Sequence, residues 1–115
     1  MINIYNDQNF KQVFDGVEIK TTVHGEQSLM TEFRMKAGSK LPNHAHDTYE
    51  QTGYLISGNV VLTIGGEDFD LKAGDSWCVP AGVKHSADIL ADSVAVEVFT
   101  HPREDYVALL DPSSR

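Results

Sequence analysis

Turn signals recur along this chain at intervals too short for a run of helices. They fall at Asp15-Gly16, His24-Gly25, Ala37-Gly38, Ser57-Gly58-Asn59, Gly65-Gly66, Ala73-Gly74 and Pro80-Ala81-Gly82. The runs between them are short and rich in β-branched and aromatic residues, which favour strands. Strands are expected at Val17–Val23, Leu29–Met35, Gly53–Ser57, Val60–Ile64, Glu67–Leu71, Ser76–Val79, His85–Ile89 and Val94–Thr100. Val60–Ile64 and Glu67–Leu71 flank Gly65-Gly66 as a hairpin with a two-residue turn. Many short strands at near-even spacing imply an all-β sandwich or barrel. Only the ends depart from this pattern. Asn9–Phe14 reads as a turn of helix or an irregular lead-in. The segment from Pro102 to Asp111 reads as a short C-terminal helix, with proline at its start and acids in its first turn. A chain of 115 residues holds one core and not two, so a single domain over 1–115 is expected.

The net charge of −8 comes with no basic stripe. That argues against nucleic acid and against docking on anionic lipid. An anionic small molecule stays open as a partner, because a local cationic pocket can override the global sign. No apolar run approaches the ~20 residues of a membrane span. The N-terminal residues lack the basic and apolar regions of a secretion signal. A cytoplasmic location is therefore expected. Cys78 is the single cysteine, so no intrachain disulfide can form. Between Trp77 and Val79 on a strand, it is expected to be a packed thiol.

Two short motifs concentrate the chemistry. The first contains Gly38, His44, His46, Gln51 and Gly58; the second contains Gly74, Pro80, Gly82 and His85. His44 and His46 are two apart, which on a strand puts both imidazoles on one face. Gln51 follows a gap long enough to reach the next strand, and His85 arrives from a different strand after a Gly/Pro bend. A barrel interior can converge ligands from several strands. Three imidazoles and an amide oxygen form a protein ligand set for a divalent transition metal. Farther on, Glu97, Phe99 and His101 alternate on one strand face, with Arg103 just beyond. If that face is the interior, a carboxylate, an aromatic wall and an arginine line the mouth of the site. If it is not, Glu97 is solvated, Phe99 is core, and Arg103 pairs with Glu104 or Asp105.

The residues of the two motifs resemble the cupin pattern. The resemblance implies a jelly-roll (double-stranded β-helix) barrel, with a core at about 29–100, lead-in strands over 1–28 and a tail over 101–115. It also implies a homodimer, for which Val17–Val23 is a candidate edge strand. Cupins usually place a glutamate as fourth ligand, and here Glu50 and Gln51 compete. Counting back from Gly58 by the family's six-residue gap lands on Gln51. The expected ligands are therefore His44, His46, Gln51 and His85, holding one metal ion per chain, with Ni, Zn, Fe, Mn and Cu not distinguished. The phrase Val98-Phe99-Thr-His-Pro-Arg103-Glu-Asp-Tyr106 is similar to the pectin-degradation (KdgF-like) cupins, which linearise 4,5-unsaturated uronates. In that group an acid, a phenylalanine and an arginine share the spacing of Glu97, Phe99 and Arg103, implying catalytic roles for all three. The group has aspartate where this chain has Glu97, one methylene longer. The alternatives are a metal-dependent dioxygenase and a non-catalytic sugar-binding cupin.

Overall fold

The computed structural model describes residues 1–115. Its elements run β1 (Lys11–Phe14), β2 (Val17–His24), β3 (Ser28–Met35), β4 (Lys40–His44), β5 (Glu50–Ile64), β6 (Glu67–Lys72), β7 (Ser76–Val79), β8 (His85–Thr100) and α1 (Glu104–Val107). The sheet order is β1-β2-β3-β8-β5-β6, with β4 on β8 and β7 on β5, every pair antiparallel. β8 is the hub. Its second half lies between β3 and the start of β5, and its first half lies between β4 and the end of β5. Strands wrapped in this way make the all-β barrel implied by the turn spacing, in the jelly-roll form implied by the resemblance. No helix is long and apolar enough to cross a membrane.

Two of the expected strand breaks are bends. Ser57-Gly58-Asn59 lies inside β5, which runs for 15 residues, and the gap after Ile89 lies inside β8, which runs for 16. The β5–β8 register slips between Leu55 and Val60, which marks a bulge rather than a reversal. Gly58 sits at φ +99°, and a Cβ there would lie 2.1 Å from Ser93 Oγ and 2.5 Å from the Asp92 carbonyl oxygen. Only glycine meets both demands. Ser93 Oγ closes the bulge by accepting from the Asn59 N–H at 3.1 Å and donating to the Ala91 carbonyl at 2.7 Å.

The N-terminal expectation is also corrected. Lys11–Phe14 is neither helix nor irregular: it is β1, joined to β2 through Asp15-Gly16. The unpaired backbone of β2 offers hydrogen bonds that outweigh weak local propensity. β1 thus occupies the edge expected at Val17–Val23, and β2 is paired on both sides. At the other end the helix is a single turn.

Period two decides what faces inward. On β8, Ser93, Ala95, Glu97 and Phe99 are buried while their neighbours are half-buried or exposed. Val17, Ile19, Phe33, Leu55, Leu62 and Ile89 belong to one apolar cluster. Each such side chain stabilises the fold by roughly 1.5–3 kcal/mol on burial. The buried polar side chains Gln51, His85 and Glu97 also face inward. The same parity corrects the reading of Cys78. On β7 it sends Trp77 and Val79 inward and leaves Cys78 exposed rather than packed.

The tail is tied to β2 and to the N-terminal residues. Asp111 N–H donates to the Thr21 carbonyl at 2.9 Å, and Thr21 Oγ1 donates to the Tyr106 carbonyl at 2.6 Å. The Asp111 carboxylate is fully buried, lies 3.3 Å from Lys20 Nζ, and accepts from the side-chain amides of Asn3, Asn6 and Asn9, each at 2.9 Å.

Candidate metal centre

Each motif residue reaches the interior by a different local route. His44 is the last residue of β4 and lies across from His85, the first residue of β8. His46 lies two residues past the end of β4, so the pair does not share a strand as expected; the chain leaves the sheet between them. Gln51 is the second residue of β5 and is buried, whereas Glu50 before it points outward and is exposed. One ligand atom from each histidine fits within 4.8 Å of the others. The His44 and His85 ring centroids are 4.0 Å apart.

The hydrogen bonds fix which ring nitrogens carry lone pairs. His44 Nδ1 is 2.7 Å from the Pro42 carbonyl and His85 Nδ1 is 3.0 Å from the Val83 carbonyl. A carbonyl only accepts, so both Nδ1 atoms carry the proton and both Nε2 atoms are free to ligate. His46 Nε2 is 3.4 Å from Arg103 Nη1, which only donates, so that nitrogen also holds a lone pair. Burial lowers the His46 pKa to about 4, helped by the charge of Arg103 and the neighbouring imidazoles. Burial lowers that of His85 as well. His46 and His85 are therefore neutral at pH 7, the state that binds a cation.

Two buried polar atoms have no partner in the protein: His85 Nε2 and Gln51 Oε1. Such atoms carry a desolvation cost of about 1–3 kcal/mol each. One cation between them would satisfy both. The ligand set of three imidazoles and an amide oxygen thus fits a divalent transition metal.

The second expected group also faces inward. Glu97 is buried; its Oε2 accepts from Gln51 Nε2 at 2.9 Å and its Oε1 from Trp77 Nε1 at 3.3 Å. Burial raises its pKa to about 7, against the pull of those two hydrogen bonds and of Arg103. Phe99 is buried with its ring edge-on to His46, centroids 6.1 Å apart. Arg103 does both things that the sequence left open. Asp105 grips its fork, Nε to Oδ1 at 3.1 Å and Nη2 to Oδ2 at 2.7 Å, while Nη1 reaches the metal site. The guanidinium stacks 3.8 Å from the Tyr106 ring centroid. Glu97, Phe99, Arg103 and Tyr106 line a cavity of about 240 Å³ together with Gln51 and the three histidines.

The two motifs single out neither Tyr106 nor Trp77. Trp77 does pack against the core, but its indole N–H also reaches Glu97. Strand parity carried that signal: Gly53 pairs with Trp77 on one side and with Glu97 on the other. Tyr49 borders the site, 6.0 Å from the His46 ring by centroids. Tyr54 is exposed on the opposite face of β5, as its parity requires, and His101 is exposed.

Glu97 makes a pH-dependent test of this geometry. Its folded pKa lies above the ordinary value of 4.5, near 7. The native state therefore holds the carboxyl proton more tightly than the unfolded state. That contribution is complete below pH 4.5 and is lost as pH rises to 7. The loss amounts to about 3 kcal/mol. Chemical denaturation of metal-stripped protein should show Glu97→Gln gaining on the parent by about 2–3 kcal/mol between pH 4.5 and 7.5. A constant gap across that range would mean that the carboxyl is solvated.

A family profile described as "Cupin domain" (Cupin_2) matches residues 31–107. The pectin degradation protein KdgF of Dickeya dadantii is 25% identical over 105 residues, covering 90% of this chain and 96% of that protein. The structure of KdgF from a Halomonas species superposes with a TM-score of 0.87 at 24% identity, covering 91% of this chain and 96% of that one. An RmlC-like cupin from Shewanella frigidimarina superposes with a TM-score of 0.86 at 22% identity, covering 91% and 94%.

Proposed function

This chain belongs to the cupin family, and from that premise we propose that it is a metal-dependent enzyme that linearises small 4,5-unsaturated uronates. The observation that carries the reading is the meeting, in one cavity, of four side chains with lone pairs to offer (His44, His46, His85, Gln51) with Glu97, Phe99 and Arg103. The similarity to KdgF supports it. A divalent metal on those four ligands would supply Lewis-acid polarisation of a substrate oxygen.

The remaining roles fall to the chain itself. Arg103 holds the uronate carboxylate. With a cation on His46 Nε2, the Nη1 arm loses that acceptor and is left for an anion, while Asp105 keeps the fork aimed. Phe99 walls the sugar ring, and the apolar surroundings exclude water. Glu97 takes the proton from the C1 hydroxyl as the bond from C1 to the ring oxygen breaks, giving an aldehyde and an enolate. It then delivers that same proton to C4 as the enolate becomes a ketone. Atoms and electrons balance within the substrate, so the reaction is an isomerisation. A carboxyl whose pKa is raised to about 7 suits a group that must both take and give a proton near neutrality.

The test is elemental analysis of the purified protein, paired with loss of ultraviolet absorbance from 4,5-unsaturated galacturonate. Stoichiometric metal and chelator-sensitive turnover are expected. Arg103→Ala should raise KM roughly 10- to 100-fold, the worth of a charged hydrogen-bonded contact. Metal without turnover would redirect the reading to a dioxygenase or a sugar-binding module, and zinc as the activating metal would exclude the dioxygenase. Homodimer assembly belongs to the same reading on the resemblance alone; a monomer mass by sedimentation would remove it.

A further inference from the structure

Trp77 does not line the cavity, yet the chain gives up a side chain to bring it close. Gly53 sits between Trp77 of β7 and Glu97 of β8 in the paired strands. A Cβ on Gly53 would lie 2.2 Å from indole Cε2 and Cζ2 and 2.5 Å from Nε1. No positive φ explains this glycine; the space over it is filled by the indole. The indole thus lies across β5 and places its N–H 3.3 Å from Glu97 Oε1. The other carboxylate oxygen holds Gln51 Nε2 at 2.9 Å. An indole N–H can only donate, so the carboxylate is oriented as an acceptor on both sides. Toward the ionised carboxylate the Gln51 amide can only donate. Its NH₂ is held on Glu97, and Oε1, buried and without a partner, is the atom left for the histidine cluster.

We propose that Trp77 is a positioning residue for the metal site: through Glu97 it fixes the Gln51 amide with its oxygen, not its NH₂, presented to the cation. The inference rests on the metal reading above and deepens it. A flipped amide would present two hydrogen-bond donors to a dication, so the chain Trp77–Glu97–Gln51 sets affinity and ligand field. A partner one hydrogen bond removed from a ligand, as Glu97 is, typically changes metal affinity by about 10- to 100-fold, and Trp77, one hydrogen bond farther, is expected at the low end of that range.

The test uses the full chain, stripped and then titrated with Zn(II) against a chromophoric chelator and with Co(II) by visible spectroscopy. Trp77→Phe keeps the ring and removes the N–H. It should weaken Zn(II) binding by about 10-fold and change the Co(II) spectrum. Gly53→Ala, which displaces the indole, should do the same, and the double variant should be no weaker than Trp77→Phe alone. Ile89→Val, a core change away from the site, should lower the melting temperature and leave both metal readouts unchanged. If Gly53→Ala does not fold, Trp77→Phe decides the matter. A parent that binds metal with one-to-one stoichiometry, beside a Trp77→Phe protein of equal affinity and identical spectrum, would overturn the positioning role alone. A parent that takes up no metal would overturn it together with the metal reading.

Discussion

His85→Ala should abolish metal binding and leave a folded protein. His85 is the deepest of the three imidazoles, 3% exposed, and its Nε2 has no partner in the protein. Alanine removes that orphaned acceptor along with the ligand, so the metal-free variant loses packing but sheds a desolvation cost of about 1–3 kcal/mol. The two effects nearly cancel, and the melting temperature of the stripped variant should lie within a few degrees of the stripped parent. The loaded state behaves differently. A ligand at 1,000 times its Kd stabilises the parent by about 4 kcal/mol, and the variant should gain none of this. Turnover of unsaturated uronate should fall at least ~10³-fold, the scale of losing a Lewis acid at the reacting oxygen. Elemental analysis and melts with and without chelator read all three effects. A His85→Ala protein that keeps a full equivalent of metal would sink the ligand assignment.

Asp111→Ala should have the largest effect on stability. Its carboxylate and Lys20 form an ion pair with side chains 0% and 1% exposed. Burial pushes the Asp111 carboxyl up, but hydrogen bonds from Asn3, Ser113 and Asn6 outweigh it and hold the group well below the usual carboxylate range. The group therefore adds stability above pH 3.8 that is lost as pH falls. Removing one partner of a buried pair strands the other charge, at about 3–5 kcal/mol. Here it also strands three amide side chains. A drop in melting temperature of roughly 10–20 °C follows for a chain of this size. Lys40→Ala makes the contrast: its pair with Asp88 is 79% and 55% exposed, and its loss should be within about 0.5 kcal/mol of neutral. A drop for Asp111→Ala no larger than that for Lys40→Ala would show that the clasp carries no energy.

The parts that were legible in the sequence are those governed by short-range rules. Period two and the turn residues located six of the eight strands and the Gly65-Gly66 hairpin. Parity put Glu97 and Phe99 on one face of a strand without saying which face, and the choice of Gln51 over Glu50 came from the family's gap to Gly58. What was missed depends on distant partners. Gly58 looks like a turn residue because a turn and a bulge ask the same φ of it; only the approach of Ser93, 35 positions later, makes it a bulge. Lys11–Phe14 becomes a strand because β2 has hydrogen bonds to offer. Asn3, Asn6 and Asn9 look like loop residues until Asp111 folds back among them. Trp77 looked like core because its N–H finds an acceptor only through a glycine on the strand beside it.

The hub position of β8 also bears on how the protein is made. Emerging from the ribosome in order, β2 and β3 can form a hairpin early, and so can β5 and β6. One flank of β3 and most of β5 must then wait for residues 85–100, the only strand that pairs with both. Through that interval the nascent chain carries two open, largely apolar strand edges, the arrangement most prone to pair with a neighbour on the same messenger. The time between the emergence of β3 and that of β8, rather than the stability of the finished barrel, then governs how long each new chain is exposed to such pairing.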